Sequence, residues 1–289
     1  MSARSSWMAH ARAALTHSLR AAAKRFPHPG EDEATAIHDL RKELKRAASL
    51  SRLFAPIVDA PAHAALDVIN AARRQVGRAR DLDILPGVLD SLKCPAATHD
   101  ILMRAIAAER GEARGAHVAS DVERLRAELD AGADSVAEWD LGSESVDLLL
   151  HSLRLTYRSA KRRGRRAWVS GDADDLHDLR CRVVDLSLQS ALFESAWPAI
   201  VAAYGAELHR LRQTLGDHND LTVLGEFALA RRELPSEAGE QVVALVLRRR
   251  KPLERKAHAQ FDRLFAERPG AFTRRIAAYL SHPQRKARE

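Results

Sequence analysis

The sequence predicts an all-α protein made of two pseudo-twofold-related four-helix bundles that arose by internal duplication. Three observations predict it. Ala, Leu, Arg and Glu dominate while β-branched and aromatic residues are sparse, a composition that favours helices over strands. Apolar residues recur at helical spacing in almost every segment, and no stretch reads clearly as a strand. The segment Ile37–Phe54, IHDLRKELKRAASLSRLF, returns at Leu176–Phe193 as LHDLRCRVVDLSLQSALF. The same offset of 139 residues runs without a gap to Leu85 and Leu224, with 14 identities over the 49 aligned positions, including Arg73/Arg212, Gly77/Gly216 and Asp81/Asp220. A period this long fits neither a solenoid nor a propeller and describes two similar halves.

The elements follow in order from that periodicity and from the breaks between runs. Helices are predicted at Ser6–Arg25, Ala34–Leu53, Ala60–Gly77, Ile84–Leu92 and Thr98–Leu129, then at Ser145–Arg163, Asp174–Ala196, Pro198–Leu215, Asp220–Glu233 and Glu237–Glu267. The Gly-, Pro- and Asp-rich breaks at Phe26–Asp32, Pro56–Pro61, Cys94-Pro95, Ser170–Ala173 and Pro235–Gly239 punctuate them. Residues 1–130 form the first half, Ala131–Glu144 (AGADSVAEWDLGSE) the linker, residues 145–280 the second half, and residues 281–289 a frayed tail. Each half then holds about four long helices, enough to close a bundle.

A formal charge of +7 and a pI near 9.8 point to an acidic partner. Against 46 Lys and Arg stand 39 Asp and Glu, so the question is where the excess gathers. The two cysteines, Cys94 and Cys181, lie in different halves without metal-type spacing, which fits a reducing cytoplasm and argues against a structural disulfide. The N-terminus lacks the apolar core of a signal peptide, and no apolar run is long enough to span a membrane. A cytosolic protein is expected.

On a helix, His38, Arg41, Lys42, Lys45, Ser49 and Arg52 of the first repeat fall within roughly a 100° arc, with Arg46 on its edge and Leu40, Leu44, Ala47 and Phe54 opposite. An ordinary solvated face mixes signs to gain i,i+4 pairs; here Glu43 lies off the stripe and Asp39 near the helix start. Like charges on one stripe cost stability unless an anion relieves them. A second basic helix, HSLRLTYRSAKRRGRRA, places Arg154, Tyr157, Arg158, Lys161, Arg162 and Arg165 on one face with no acidic residue. Weaker candidates are Arg20 and Lys24 on the first helix, Arg73 and Arg78 on the third and after it, and Arg212 on their counterpart. For each of these a structural ion pair competes with ligand contact.

These residues resemble the CHAD domains, conserved-histidine α-helical domains defined by repeated H-x-x-R-K-x-x-K-R stretches inside two four-helix bundles. The first copy carries the full pattern in His38, Arg41, Lys42, Lys45 and Arg46, followed by RARDLDIL at Arg78–Leu85. The second keeps His177 and Arg180, whereas Cys181, Val184 and Asp185 stand where basic residues would be. The resemblance covers nearly the whole chain. It implies binding of inorganic polyphosphate in a basic channel between the half-domains, without catalysis and without a cofactor or metal, and it raises association with polyphosphate granules. The E-x-E-x-K motif of the triphosphate-tunnel enzymes often joined to such domains does not occur here.

The chemistry fits that ligand independently. A polyphosphate carries charge on every unit and no bases; Arg grips adjacent phosphoryl oxygens with two N–H groups, and Lys supplies a compact charge. Aromatic residues make up 5% of the chain and only Tyr157 interrupts a basic stripe, which disfavours the rival reading of a sequence-independent nucleic-acid binder that stacks bases. The other rival is a metal-dependent His-Asp phosphohydrolase, since His-Asp occurs at 38–39, 99–100 and 177–178. The Arg and Lys that follow would oppose a divalent cation. Histidine ordinarily loses charge near pH 6–7, so binding is expected to strengthen on acidification through that range. Finally, Lys42, Lys45, Ser49 and Arg52 correspond to Cys181, Val184, Leu188 and Ala191, so the first copy should carry more of the phosphate contact while the apolar stripe of the second packs against a neighbour.

Overall fold

A computed structural model gives the fold and describes residues 3–27, 32–75, 77–115, 119–142 and 145–281. Among the described residues there are eleven α-helices, a 3-10 turn at Glu194–Ala196, and no strand. The helices are α1 (Ala3–Lys24), α2 (Glu33–Val58), α3 (Ala60–Gln75), α4 (Gly77–Leu92), α5 (Ala96–Gly115), α6 (Ala119–Ala137), α7 (Ser145–Ser170), α8 (Ala173–Ala191), α9 (Pro198–Leu229), α10 (Ser236–Leu264) and α11 (Pro269–Ser281). None is long and apolar enough to cross a membrane.

Local chemistry explains the boundaries. The Asp172 side chain caps α8 by accepting from the Asp174 N–H at 2.9 Å, with Asp174 and Asp175 in the first turn to complement the helix dipole. Gly171 takes φ +66° at the α7–α8 turn, a conformation a side chain would strain. Pro198 opens α9, where its missing N–H costs nothing.

Several boundaries depart from expectation. α2 continues through Pro56 to Val58 before the chain turns at Asp59, and α6 extends through Ala137 into the expected linker. The C-terminal segment before residue 282 forms α11, which was not foreseen. The two helices expected on either side of Gly216 are one continuous α9. A helical glycine costs about 1 kcal/mol relative to alanine, and here buried Leu208, Leu211, Leu215, Leu221 and Leu224 offset it by packing the same stripe across the glycine.

The interior divides into two apolar clusters, and each draws on both halves of the sequence. The larger joins residues such as Leu15, Leu44, Phe54 and Leu129 to Leu153, Tyr157, Leu179 and Phe272. The smaller joins Leu82, Leu85, Leu89 and Leu102 of α4 and α5 to Leu221, Leu224, Val242 and Val246 of α9 and α10. The long α9 enters both clusters and ties them together. α2 packs on α3 and α1 of its own half and also on α7 and α8, so the cationic helix contacts both halves of the sequence.

Close packing at one glycine gives a stability test. A β-carbon on Gly164 of α7 would overlap the Phe261 ring of α10, which is itself buried and stacked on Phe265 at 4.7 Å. Gly164→Ala is therefore expected to destabilise the protein by about 1–3 kcal/mol, despite the better helix propensity of alanine. Urea denaturation checks the sign; a neutral or stabilising effect would contradict this packing.

Candidate anion-binding groove

Where α2 meets α8 and α9 a groove of about 450 Å³ opens. Its α2 wall is His38, Arg41, Lys42, Lys45 and Arg46, and its opposite wall is Arg180, Val184 and Leu188 of α8 with Arg212 and Gly216 of α9. Among the described residues six Arg or Lys face three carboxylates there, Glu43, Asp217 and Asp220. The amphipathic reading of α2 explains the wall: Leu40, Leu44 and Ala47 are fully buried on the other side of the helix. Residues 38 to 46 present their cations along about 12 Å of helix.

The far wall adds like-charge crowding. Burial draws the Arg212 guanidinium below its ordinary pKa, and the neighbouring positive charge of Arg180 lowers it further. Arg180 lies over Gly216, its Nε 3.7 Å from where a β-carbon would sit, buried and without a hydrogen-bond partner among the described residues. Two guanidinium groups held this close favour an anion between them.

The groove closes where α2 crosses α8. Ser49 is fully buried and donates to the Asp185 carbonyl at 3.1 Å, while Gln189 Nε2 donates to the Ser49 carbonyl at 2.9 Å. Arg52, expected to contact the ligand, instead pairs with the buried Asp185 carboxylate at 3.6 Å and donates to the Ala48 carbonyl at 3.2 Å. Burial lowers its pKa, with Asp185 acting against that loss. Arg182 completes the cluster, 2.9 Å from Asp185. The cationic stripe thus splits: residues 38–46 open to the groove, and Ser49 and Arg52 are interface. Arg73 is close enough for its charge to be felt at Arg52 and does not line the groove.

The basic face of α7 is elsewhere. Tyr157 is fully buried, stacks on Phe272 at 4.5 Å, and donates to the Leu264 and Glu267 carbonyls at 3.3 and 3.2 Å. It is a core residue rather than a ligand contact, because a ring at the edge of the basic stripe also borders the buried arc of the helix. Lys161 Nζ donates to the Ala266 and Glu267 carbonyls at 3.3 and 2.7 Å, beyond the end of α10, a favourable place for a cation. Arg154, Arg158, Arg162 and Arg165 are exposed, and none of them lines the groove. The α8-facing flank carries Arg163 and Arg166, paired with Asp178 and Asp175.

The weaker candidates scatter as well. Arg20 and Lys24 line a separate cavity of about 830 Å³ along α1, where Arg20 pairs with Asp134 at 2.9 Å. The side chain of Arg78 lies outside the described residues. Val184 and Leu188, expected to pack against a neighbouring helix, line the groove half-exposed. Sequence reasoning did not single out Gly216 as the seat of Arg180, although its recurrence opposite Gly77 was visible.

The histidines differ. His38 faces the groove. His177 sits beside it, with Nδ1 2.7 Å from Asn219 Oδ1 and Nε2 3.6 Å from Cys181 Sγ. The Cys181 contact, together with Asn219 and against partial burial, raises its pKa to about 9. The His-Asp dipeptides do not converge: Asp39 pairs with Arg25 at 3.6 Å, Asp178 with Arg163, and His99 with Asp90 at 2.8 Å. Among the described residues no three His, Cys, Asp or Glu come together as metal ligands would.

A solved structure described as the CHAD domain from the plant Ricinus communis superposes with a TM-score of 0.65 at 21% identity, covering 95% of this chain and 91% of that one. That likeness concerns the fold. No curated protein matches this chain. The CHAD domain family model matches residues 13–229, from α1 through the end of α9, and so takes in all three helices that wall the groove. An all-helical chain whose matched span contains both His-Asp-Leu-Arg segments and the cationic face between them belongs to the CHAD domain family.

Proposed function

We propose that this protein binds inorganic polyphosphate in the groove between α2 and the α8–α9 pair, in the cytoplasm and without hydrolysing it, and that such binding can bring it to polyphosphate granules. The observation that carries this reading is the α2 wall, where Lys42 and Arg46 project into the groove with no ion pair to a protein carboxylate among the described residues. Uncompensated cations along one helix suit a ligand with a charge on every unit. Among the described residues no Phe, Tyr or Trp lines the groove, which favours a polyanion without bases over a single-stranded nucleic acid.

Titration with polyphosphates of graded length tests the reading. Affinity is expected to fall steeply as salt rises, because each neutralised phosphate releases condensed counterions. RNA should compete poorly. Salt-independent binding, RNA binding as strong as polyphosphate binding, or phosphate release with a divalent metal would each overturn it.

The pH dependence is revised by the structure. His177 is held protonated up to about 9, so its positive charge is complete below neutral pH and is lost only as pH rises through about 9. It contributes nothing to a change near pH 7. The ratio of affinities at about pH 6 and pH 8 is therefore expected to be the same in His177→Gln as in the unaltered protein, measured by the same titration. A ratio that collapses in the variant would place the His177 transition near neutrality instead.

A further inference from the structure

Three side chains on two helices form an arrangement that polyanion binding does not use. Cys181 and His177 stand one turn apart on α8, with Sγ 3.6 Å from Nε2. On the other side of the imidazole, Nδ1 lies 2.7 Å from Oδ1 of Asn219 on α9. An amide oxygen can only accept, so Nδ1 carries a proton, and Nε2 is left to exchange one with the thiol. Nucleophile, base and the group that orients the base are thus in line. Around them, Arg180 and Arg182 flank Cys181 on α8, Arg52 approaches from α2, and Asp185 is engaged by Arg52 and Arg182.

We propose that Cys181 is a nucleophilic thiol, a site of modification by small electrophiles and in particular by peroxides, with His177 and Asn219 as its activating pair. The proposal stands apart from the reading of the groove. Burial alone would raise the thiol pKa, yet the hydrogen bond and charge of His177, with Arg180 and Arg182, bring it below its ordinary value. Cys94 is the internal contrast: it is also half-buried, and burial leaves its pKa raised.

With a peroxide the step balances. The Cys181 thiolate attacks one peroxide oxygen, the S–O bond forms and the O–O bond breaks. Sulfur gives up two electrons and the peroxide accepts them. The departing hydroxide takes the proton from His177 Nε2 and leaves as water. Cys181 becomes a sulfenic acid, and the neutral imidazole still donates from Nδ1 to Asn219. The position aligns with Lys42 in the first repeat, so the second copy holds a reactive group where the first holds a cation.

Alkylation of the full chain by iodoacetamide, followed site by site by peptide mass spectrometry, tests this. At about pH 7, Cys181 is expected to react at least roughly tenfold faster than Cys94, with a rate that levels off at a lower pH than that of Cys94. In His177→Gln the levelling should move to higher pH; Asn219→Ala should shift it the same way, and circular dichroism establishes that both variants are folded. Dilute hydrogen peroxide should yield a dimedone adduct at Cys181 and none at Cys94. A Cys181 rate no greater than that of Cys94, a profile unchanged by His177→Gln, or peroxide labelling confined to Cys94 would overturn the proposal.

Discussion

Replacing Arg41, Lys42 and Lys45 together with alanine is expected to weaken polyphosphate binding by roughly 10³-fold at physiological salt, at about 1.5 kcal/mol for each charged contact. All three line the groove on α2. Replacing Arg154, Arg158, Arg162 and Arg165 on α7 removes more charge yet is expected to cost less than about threefold at physiological salt, because exposed charges off the groove are screened there. Titration calorimetry of the two variants decides between them. If the α7 set cost as much as the α2 set, net charge rather than the groove would govern binding. The structure also sharpens the contrast between the copies: Arg180 remains a groove residue, whereas Arg182 is tied to Asp185, so Arg182→Ala should register mainly as lost stability.

Asp185→Ala is expected to destabilise the fold by about 3 kcal/mol, the lower end of what removing one partner of a buried ion pair costs. The carboxylate is 5% exposed and receives both Arg52 and Arg182, each roughly 30% exposed. Truncation leaves two half-buried guanidinium groups without a counter-charge at the crossing of α2 and α8. Their partial access to water is why the upper end of the range is not reached. Chemical denaturation monitored by circular dichroism measures the effect, and a loss below about 1 kcal/mol would mean that these arginines find water as readily as they find Asp185.

Much of this molecule was written in local chemistry. Helix after helix follows from apolar spacing, because a 3.6-residue period needs no knowledge of what it packs against. The cationic wall His38–Arg46 was legible for the same reason, and so was the loss of basic character at Cys181 and Val184 by alignment with the first copy. Where periodicity was weak, the reading failed. Pro56 and Gly216 read as breaks, yet α2 and α9 run through them because tertiary burial outweighs the propensity of single residues.

What periodicity cannot state is which neighbour covers a face. His38 and Arg52 share one stripe in sequence; only the approach of α8, through Asp185 and Gln189, turns half of that stripe into an interface and leaves the other half open. The α7 face matched the α2 face in charge and spacing, but its Tyr157 and Lys161 dock on the α10–α11 turn and none of its arginines lines the groove. Sequence alone determined the helical class, the repeat and the cationic wall of α2, since these are read directly from residue pattern and spacing. The tertiary structure alone decided which cations face an open groove, since that depends on carboxylates and carbonyls more than a hundred residues away.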